Sequence, residues 1–137
     1  MRKTVVCVLF SFVGLTGCSP GTDVPVAEHG IASFHSNLNA GNFEKIYDST
    51  GPQFKSATSK NDFVKLLGVI HAKLGPFASG KVVNWNDNAT TGGHYVTLEY
   101  QASYRKGPAD ENFVYRMNGS DASLVGYHIN SNTLLFG

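Results

Sequence analysis

The sequence predicts an α+β domain in which three N-terminal helices pack on a curled antiparallel sheet of four strands. Three observations lead there. Apolar residues recur at helical spacing in the first half, most clearly at Phe63, Leu66, Leu67, Ile70 and Leu74. From His94 to Arg105 the period becomes two, with Tyr95, Thr97, Glu99, Gln101 and Ser103 on one side. Val96, Leu98, Tyr100, Ala102 and Tyr104 take the other. Asn118-Gly119 then gives a two-residue hairpin signal. Helices followed by a meander of strands define the α+β class.

The first helix is expected over 26–39, where Ala27, Ile31, Phe34 and Leu38 form one stripe. Asn39-Ala40-Gly41-Asn42 stops it, Gly41 suiting a left-handed cap. A short second helix over 42–49 carries Phe43, Ile46 and Tyr47 on one face, and Thr50-Gly51-Pro52 breaks it. Phe54 is expected to enter the core from a loop or a turn of helix. Ser59 and Asp62 resemble a capping box for the third helix, which Gly75-Pro76 ends. Strands are expected over 81–86, 94–105, 112–117 and 123–130, with turns at 86–93, 106–110 and 118–121.

The first residues carry a different signal. Arg2 and Lys3 precede the apolar run Val5-Val6-Cys7-Val8-Leu9-Phe10, which continues to Leu15. That order is the one of a secretory signal, and the run is too short to span a bilayer comfortably. Leu15-Thr16-Gly17-Cys18 resembles the lipobox of bacterial lipoproteins. The resemblance implies a signal peptide over 1–17 and diacylglyceryl attachment to the thiol of Cys18. It also implies residence in the bacterial cell envelope, with palmitate among the acyl chains. Two or three chains hold a protein stably on a membrane. Ser19 after the Cys implies the outer membrane facing the periplasm. Residues 18–25 then read as a tether and 26–137 as the domain.

Without Arg2 and Lys3, nine basic residues face ten acidic ones, a net charge of −1 with His neutral. No basic stripe exists, so nucleic-acid binding is disfavoured. With Cys7 in the signal and Cys18 acylated, the domain keeps no thiol for a disulfide, a thiolate metal site or a nucleophile.

The passages "FHSNLNAGNFEKIY" (34–47), "FVKLLGVIHAKLG" (63–75) and "FVYRMNGSDASLVGYHI" (113–129) resemble the nuclear transport factor 2-like superfamily, or cystatin-like roll, over about 26–132. Ala122 and Ser123 stand where members of that superfamily often carry a Trp. The resemblance implies a cone with an apolar pocket between sheet and helices. Members of the superfamily serve as enzymes, ligand binders, dimerisation modules or partner-binding domains, so fold alone does not fix function.

A pocket enzyme would need a carboxylate base and an acid donor. Asp48 and Glu99 are the candidate carboxylates, with Tyr47, Tyr95 and His71 as donors, but Asp48 reads as a helix-end residue and Glu99 as a surface one. His29, His35, His94 and His128 show no metal-ligand spacing with an acid or with each other, so no metal or other cofactor is expected. Arg116 and His128 flank the last hairpin and could lie on neighbouring positions. Tyr47 and His71 are the candidate pocket residues. Tyr100, Tyr104 and Tyr115, with Phe113 and Tyr127 nearby, form either core or a tyrosine-rich partner face.

The expected function is that of a membrane-anchored, non-catalytic binding module for a protein partner or envelope component. An inhibitor or immunity-like lipoprotein is one form of it. The alternative is a binder or carrier of a small apolar ligand in the cone pocket, and a homodimer through the sheet is compatible with either.

Overall fold

The computed structural model describes residues 21–137, so the expected signal peptide and Cys18 lie outside the described residues. Four helices precede the sheet: α1 (Val24–Asn39), α2 (Phe43–Asp48), α3 (Pro52–Ala57) and α4 (Lys60–Leu74). Strands β1 (Phe77–Thr90), β2 (Gly93–Tyr104), β3 (Gly107–Asn118) and β4 (Asp121–Asn130) follow, and α5 (Asn132–Phe136) ends the chain. The α+β class and the four-stranded sheet are as expected, whereas the helices among the described residues number five.

The turn of helix offered as one alternative at Phe54 is α3, which buries that residue, whereas α5 was not expected. Gly51-Pro52 reads as a breaker, yet proline fits the first position of a helix, and Pro52 opens α3 there. The last helix is a single short element with no periodicity to detect. The tether prediction also ran too far, because α1 starts at Val24 with Pro25 in its first turn. Ser59 caps α4 as predicted, its hydroxyl accepting from the Asp62 amide at 3.2 Å.

The sheet is a meander of order β1-β2-β3-β4 with antiparallel neighbours throughout. β1 is longer than residues 81–86 because β2 supplies a backbone partner along its whole length, from Phe77↔Tyr104 to Thr90↔Gly93. Pairing thus overrides the weak strand propensity of Ser79-Gly80 and of the polar run after Trp85. β3 starts at Gly107 rather than at 112. Pro108 pairs with Ser103 in a stretch that β4 does not reach, since β4 joins at Asp110↔Asn130. On that side β3 is locally an edge, where proline is tolerated.

Burial alternates along β2 and β3, and Val96, Leu98, Ala102, Tyr104, Ala109, Phe113, Tyr115 and Met117 all lie inside. The helices cover this face with Ala27, Ile31, Phe34 and Leu38 of α1 and Phe63, Leu67, Ile70 and Leu74 of α4. Register shifts in β1 between Phe77 and Ser79 and between Val82 and Asn84, and in β3–β4 between Val114 and Tyr115, are bulges that bend strands and increase twist. Among the described residues no helix is long and apolar enough to cross a membrane.

Candidate functional site

Two charged-type side chains lie inside the core where α1 crosses the sheet. His35 follows Phe34 and stands four residues after Ile31, so the helical period turns it inward beside the apolar stripe; it is 2% exposed. Glu111 shares the inward face of β3 with Ala109, Phe113 and Tyr115 and is also 2% exposed. An isolated buried carboxylate is costly, so its partners decide whether the fold tolerates it. Three hydrogen bonds converge on it. Tyr104 and Tyr127 each donate to Oε1 at 2.7 Å, and His35 Nε2 meets Oε2 at 2.8 Å. The second carboxyl oxygen is thereby taken by the imidazole, and the tautomer of His35 sets which of the two atoms donates.

This arrangement fixes the imidazole ring. One edge is held by Glu111, and one face stacks on Phe77 with centroids 3.7 Å apart and planes 5° from parallel. Tyr100 and Phe113 flank it at 5.4 and 5.9 Å. The other ring nitrogen, Nδ1, is buried without a hydrogen-bond partner among the described residues. Burial, reinforced by the Glu111 carboxylate, pushes the hydroxyls of Tyr104, Tyr115 and Tyr127 far above the ordinary tyrosine range.

Beside the network a groove of about 760 Å³ runs between α1 and the β1–β2 ribbon. Its walls include Ile31 and His35 of α1, Phe77 and Val82 of β1, and Tyr100 of β2, with Glu28 and Lys81 at the rim. Gly80 shapes this wall. A Cβ at that position would collide with the Tyr100 ring, reaching Cζ at 2.7 Å, so only glycine lets the ring lie against β1.

The sequence-predicted residues are distributed otherwise. Tyr47 donates to the Thr58 carbonyl at 3.0 Å and packs on Phe54 and Phe63, while His71 meets the edge of Phe43. Both belong to the helix layer, and neither lines the groove. The tyrosine-rich face is corrected: Tyr104 and Tyr115 are each 3% exposed, and Tyr100 is half-buried on the same inward side. The two-residue period points them at the helices, so they cannot present an outer surface. Asp48 pairs with Lys60 at 2.9 Å on the surface, and Glu99 is exposed. Arg116 pairs in register with Ser123 and His128 with Asn112, which places them four positions apart.

Sequence spacing coupled no histidine to an acid, but the fold does so twice. Besides His35 and Glu111, His94 Nε2 lies 2.5 Å from Asp87 Oδ1 and 3.4 Å from Asp23 Oδ2. These three offer ligand atoms within 4.8 Å of one another. The Gly21 amide donates to Asp87 as well, at 2.9 Å. Burial alone would raise the Asp87 carboxyl, but these bonds and the attraction of His94 together hold it below the usual carboxylate range. The group ties the start of α1 to the β1–β2 hairpin. For Glu111, one signal was available in the sequence: the inward alternation of Met117, Tyr115 and Phe113, carried back one more step, reaches it.

A helix-covered antiparallel sheet with a buried carboxylate–imidazole pair under an open groove defines the class of domain. The chain belongs to the family described as protein of unknown function DUF4019, whose model matches residues 32–127. The match takes in His35, Phe77, Tyr100, Tyr104, Glu111 and Tyr127. No curated protein matches the chain.

Proposed function

We propose that the protein is an envelope lipoprotein of the nuclear transport factor 2-like superfamily, anchored through Cys18, that binds a small, mainly apolar ligand non-catalytically in the groove between α1 and β1–β2. The observation that carries this reading is the groove itself. Its volume of about 760 Å³ falls within the roughly 300–1,000 Å³ usual for small-molecule sites, which are mostly apolar with a few polar groups. The ring of His35 in its wall is held by Glu111, itself bonded to Tyr104 and Tyr127, and by the stacked Phe77, which preorganises the site. Asp48 and Glu99, the carboxylates an enzyme reading would use, stand on the surface, and the buried carboxylate Glu111 has both oxygens taken by Tyr104, Tyr127 and His35, which favours binding over catalysis.

The test has two parts. Metabolic labelling with palmitate marks the protein, and Cys18→Ala abolishes the label. Native mass spectrometry of the protein recovered from cells carries a small added mass, which Val82→Glu in the groove wall removes. A protein that carries no adduct and shifts with no apolar probe contradicts the groove reading.

A partner surface is a second reading, favoured by the exposed Val83 and Trp85 on the edge strand β1. Loss of a co-purifying protein on Trp85→Ala, with the groove unaffected, would support it.

A further inference from the structure

The groove and an unpartnered nitrogen on a residue of its wall point to the chemistry of the ligand. We infer that the site takes an apolar body carrying a hydroxyl, and that Nδ1 of His35 receives that hydroxyl. The inference rests on the reading of the groove as the ligand site.

Three observations lead to it. The groove walls at Ile31, Val82, Phe77 and Tyr100 offer aliphatic and aromatic surface, and the two rim charges, Glu28 and Lys81, are of opposite sign. Nothing there draws an ion of either charge, and the apolar walls disfavour burying one. The second observation is the state of His35. Its Nε2 is committed to Glu111 at 2.8 Å, and Nδ1 is buried and unpartnered in a residue that lines the groove. Buried polar atoms in native structures are nearly always paired, and each exception calls for a reason. A ligand that supplies the missing partner is such a reason.

The third observation is that the ring cannot turn to satisfy itself. Glu111 is pinned by Tyr104 and Tyr127, and Phe77 stacks on the imidazole face, so Nδ1 stays where it is. A hydroxyl suits this atom better than other polar groups because it both donates and accepts. It completes the imidazole whether or not Nδ1 holds a proton, and it brings no charge into the apolar wall. Because Nδ1 lies below the solvent-touched surface, the ligand must seat deep.

Sites built to hydrogen-bond a substrate hydroxyl discriminate strongly against the analogue that lacks it. The experiment uses thymol and para-cymene, which is the same hydrocarbon without the hydroxyl. Each is titrated into the purified protein carrying isotope-labelled histidine, and binding is followed by NMR. Thymol is expected to bind at least about tenfold more tightly than cymene and to move the His35 Nδ1 resonance. In His35→Phe that preference collapses while the groove residues still respond to both probes. The Nδ1 resonance of the unsubstituted protein carries the test if this variant does not fold. Equal affinity for the two probes, with shifts at Ile31, Val82 and Tyr100 and none at Nδ1, overturns the hydroxyl inference and leaves the groove reading standing. No shift in the groove with either probe overturns both.

Discussion

The side-chain amide of Asn39 grips the backbone of Phe77 at both ends, its Nδ2 donating to the carbonyl at 3.0 Å and its Oδ1 accepting from the amide at 2.8 Å. The last residue of α1 thereby acts as a short strand partner for the first residue of β1. The pair sets where the Phe77 ring falls, which is flat on His35. Asn39→Ala removes both bonds at an exposed position, and each is worth about 0.5–1.5 kcal/mol at most. The expected loss is about 1 kcal/mol in urea denaturation, accompanied by a changed His35 ring environment in NMR spectra. An unchanged His35 resonance would mean that the clamp does not position Phe77.

Glu111 is the residue whose removal should hurt most. Three hydrogen bonds converge on it, so Glu111→Ala strands two tyrosine hydroxyls and an imidazole in the core and opens a cavity. A loss of about 3–5 kcal/mol follows from the cavity and the stranded polar groups together. Glu111→Gln keeps the shape and one accepting oxygen for Tyr104 and Tyr127, so its cost is nearer 1–3 kcal/mol. Equal stabilities of the two variants by chemical denaturation would show that the hydrogen bonds contribute little.

The difference between what the sequence revealed and what it concealed follows from range. The stripe from Phe63 to Leu74 and the alternation from Val96 to Tyr104 are local repeats, and both were legible. The Asn118-Gly119 hairpin and the Ser59 cap were legible too, since a few adjacent residues specify each. The site was not, because His35 and Glu111 are 76 residues apart and meet only once α1 lies across β3. Glu111 was further hidden by the turn-like Lys106-Gly107-Pro108, which made β3 seem to begin after it. The alternation on β2 puts Tyr100 and Tyr104 on one face with Val96 and Leu98. What the sequence left open was whether helices or solvent would meet that face.

Alkaline pH should unfold the protein through its buried tyrosines. Burial first and the Glu111 carboxylate second raise Tyr104, Tyr115 and Tyr127 in the folded state. In the unfolded chain they titrate near the ordinary value of about 10. The folded state therefore keeps protons that the unfolded state releases, so stability is whole below pH about 10 and is lost as pH rises beyond it. Each such tyrosine adds a slope of about 1.4 kcal/mol per pH unit. Tyr115→Phe deletes one titrating group whose hydroxyl carries none of the network bonds to Glu111. The slope of unfolding free energy above pH 10 should fall by about 1.4 kcal/mol per unit in that variant, and an unaltered slope would place Tyr115 outside the titrating set.

Gly80 permits a separation of binding from folding. Its missing Cβ makes room for the Tyr100 ring, which lies across β1 in the groove wall. In Gly80→Ala something must move, and the choice is between the strand backbone and the ring. β1 is held to β2 along its length, whereas Tyr100 is half-buried and turns about two side-chain torsions. The ring should move, swinging into the groove or out of its wall. Alanine meanwhile restricts the unfolded chain more than glycine does, a gain of some tenths of a kcal/mol. Unfolding free energy should therefore change by less than about 1 kcal/mol, while thymol binding weakens by at least about tenfold, or 1.4 kcal/mol. Parallel urea denaturation and titration of the one variant measure both. Wild-type affinity with a displaced Tyr100 resonance would remove Tyr100 from the site. A large loss of stability would show instead that β1, rather than the ring, gives way.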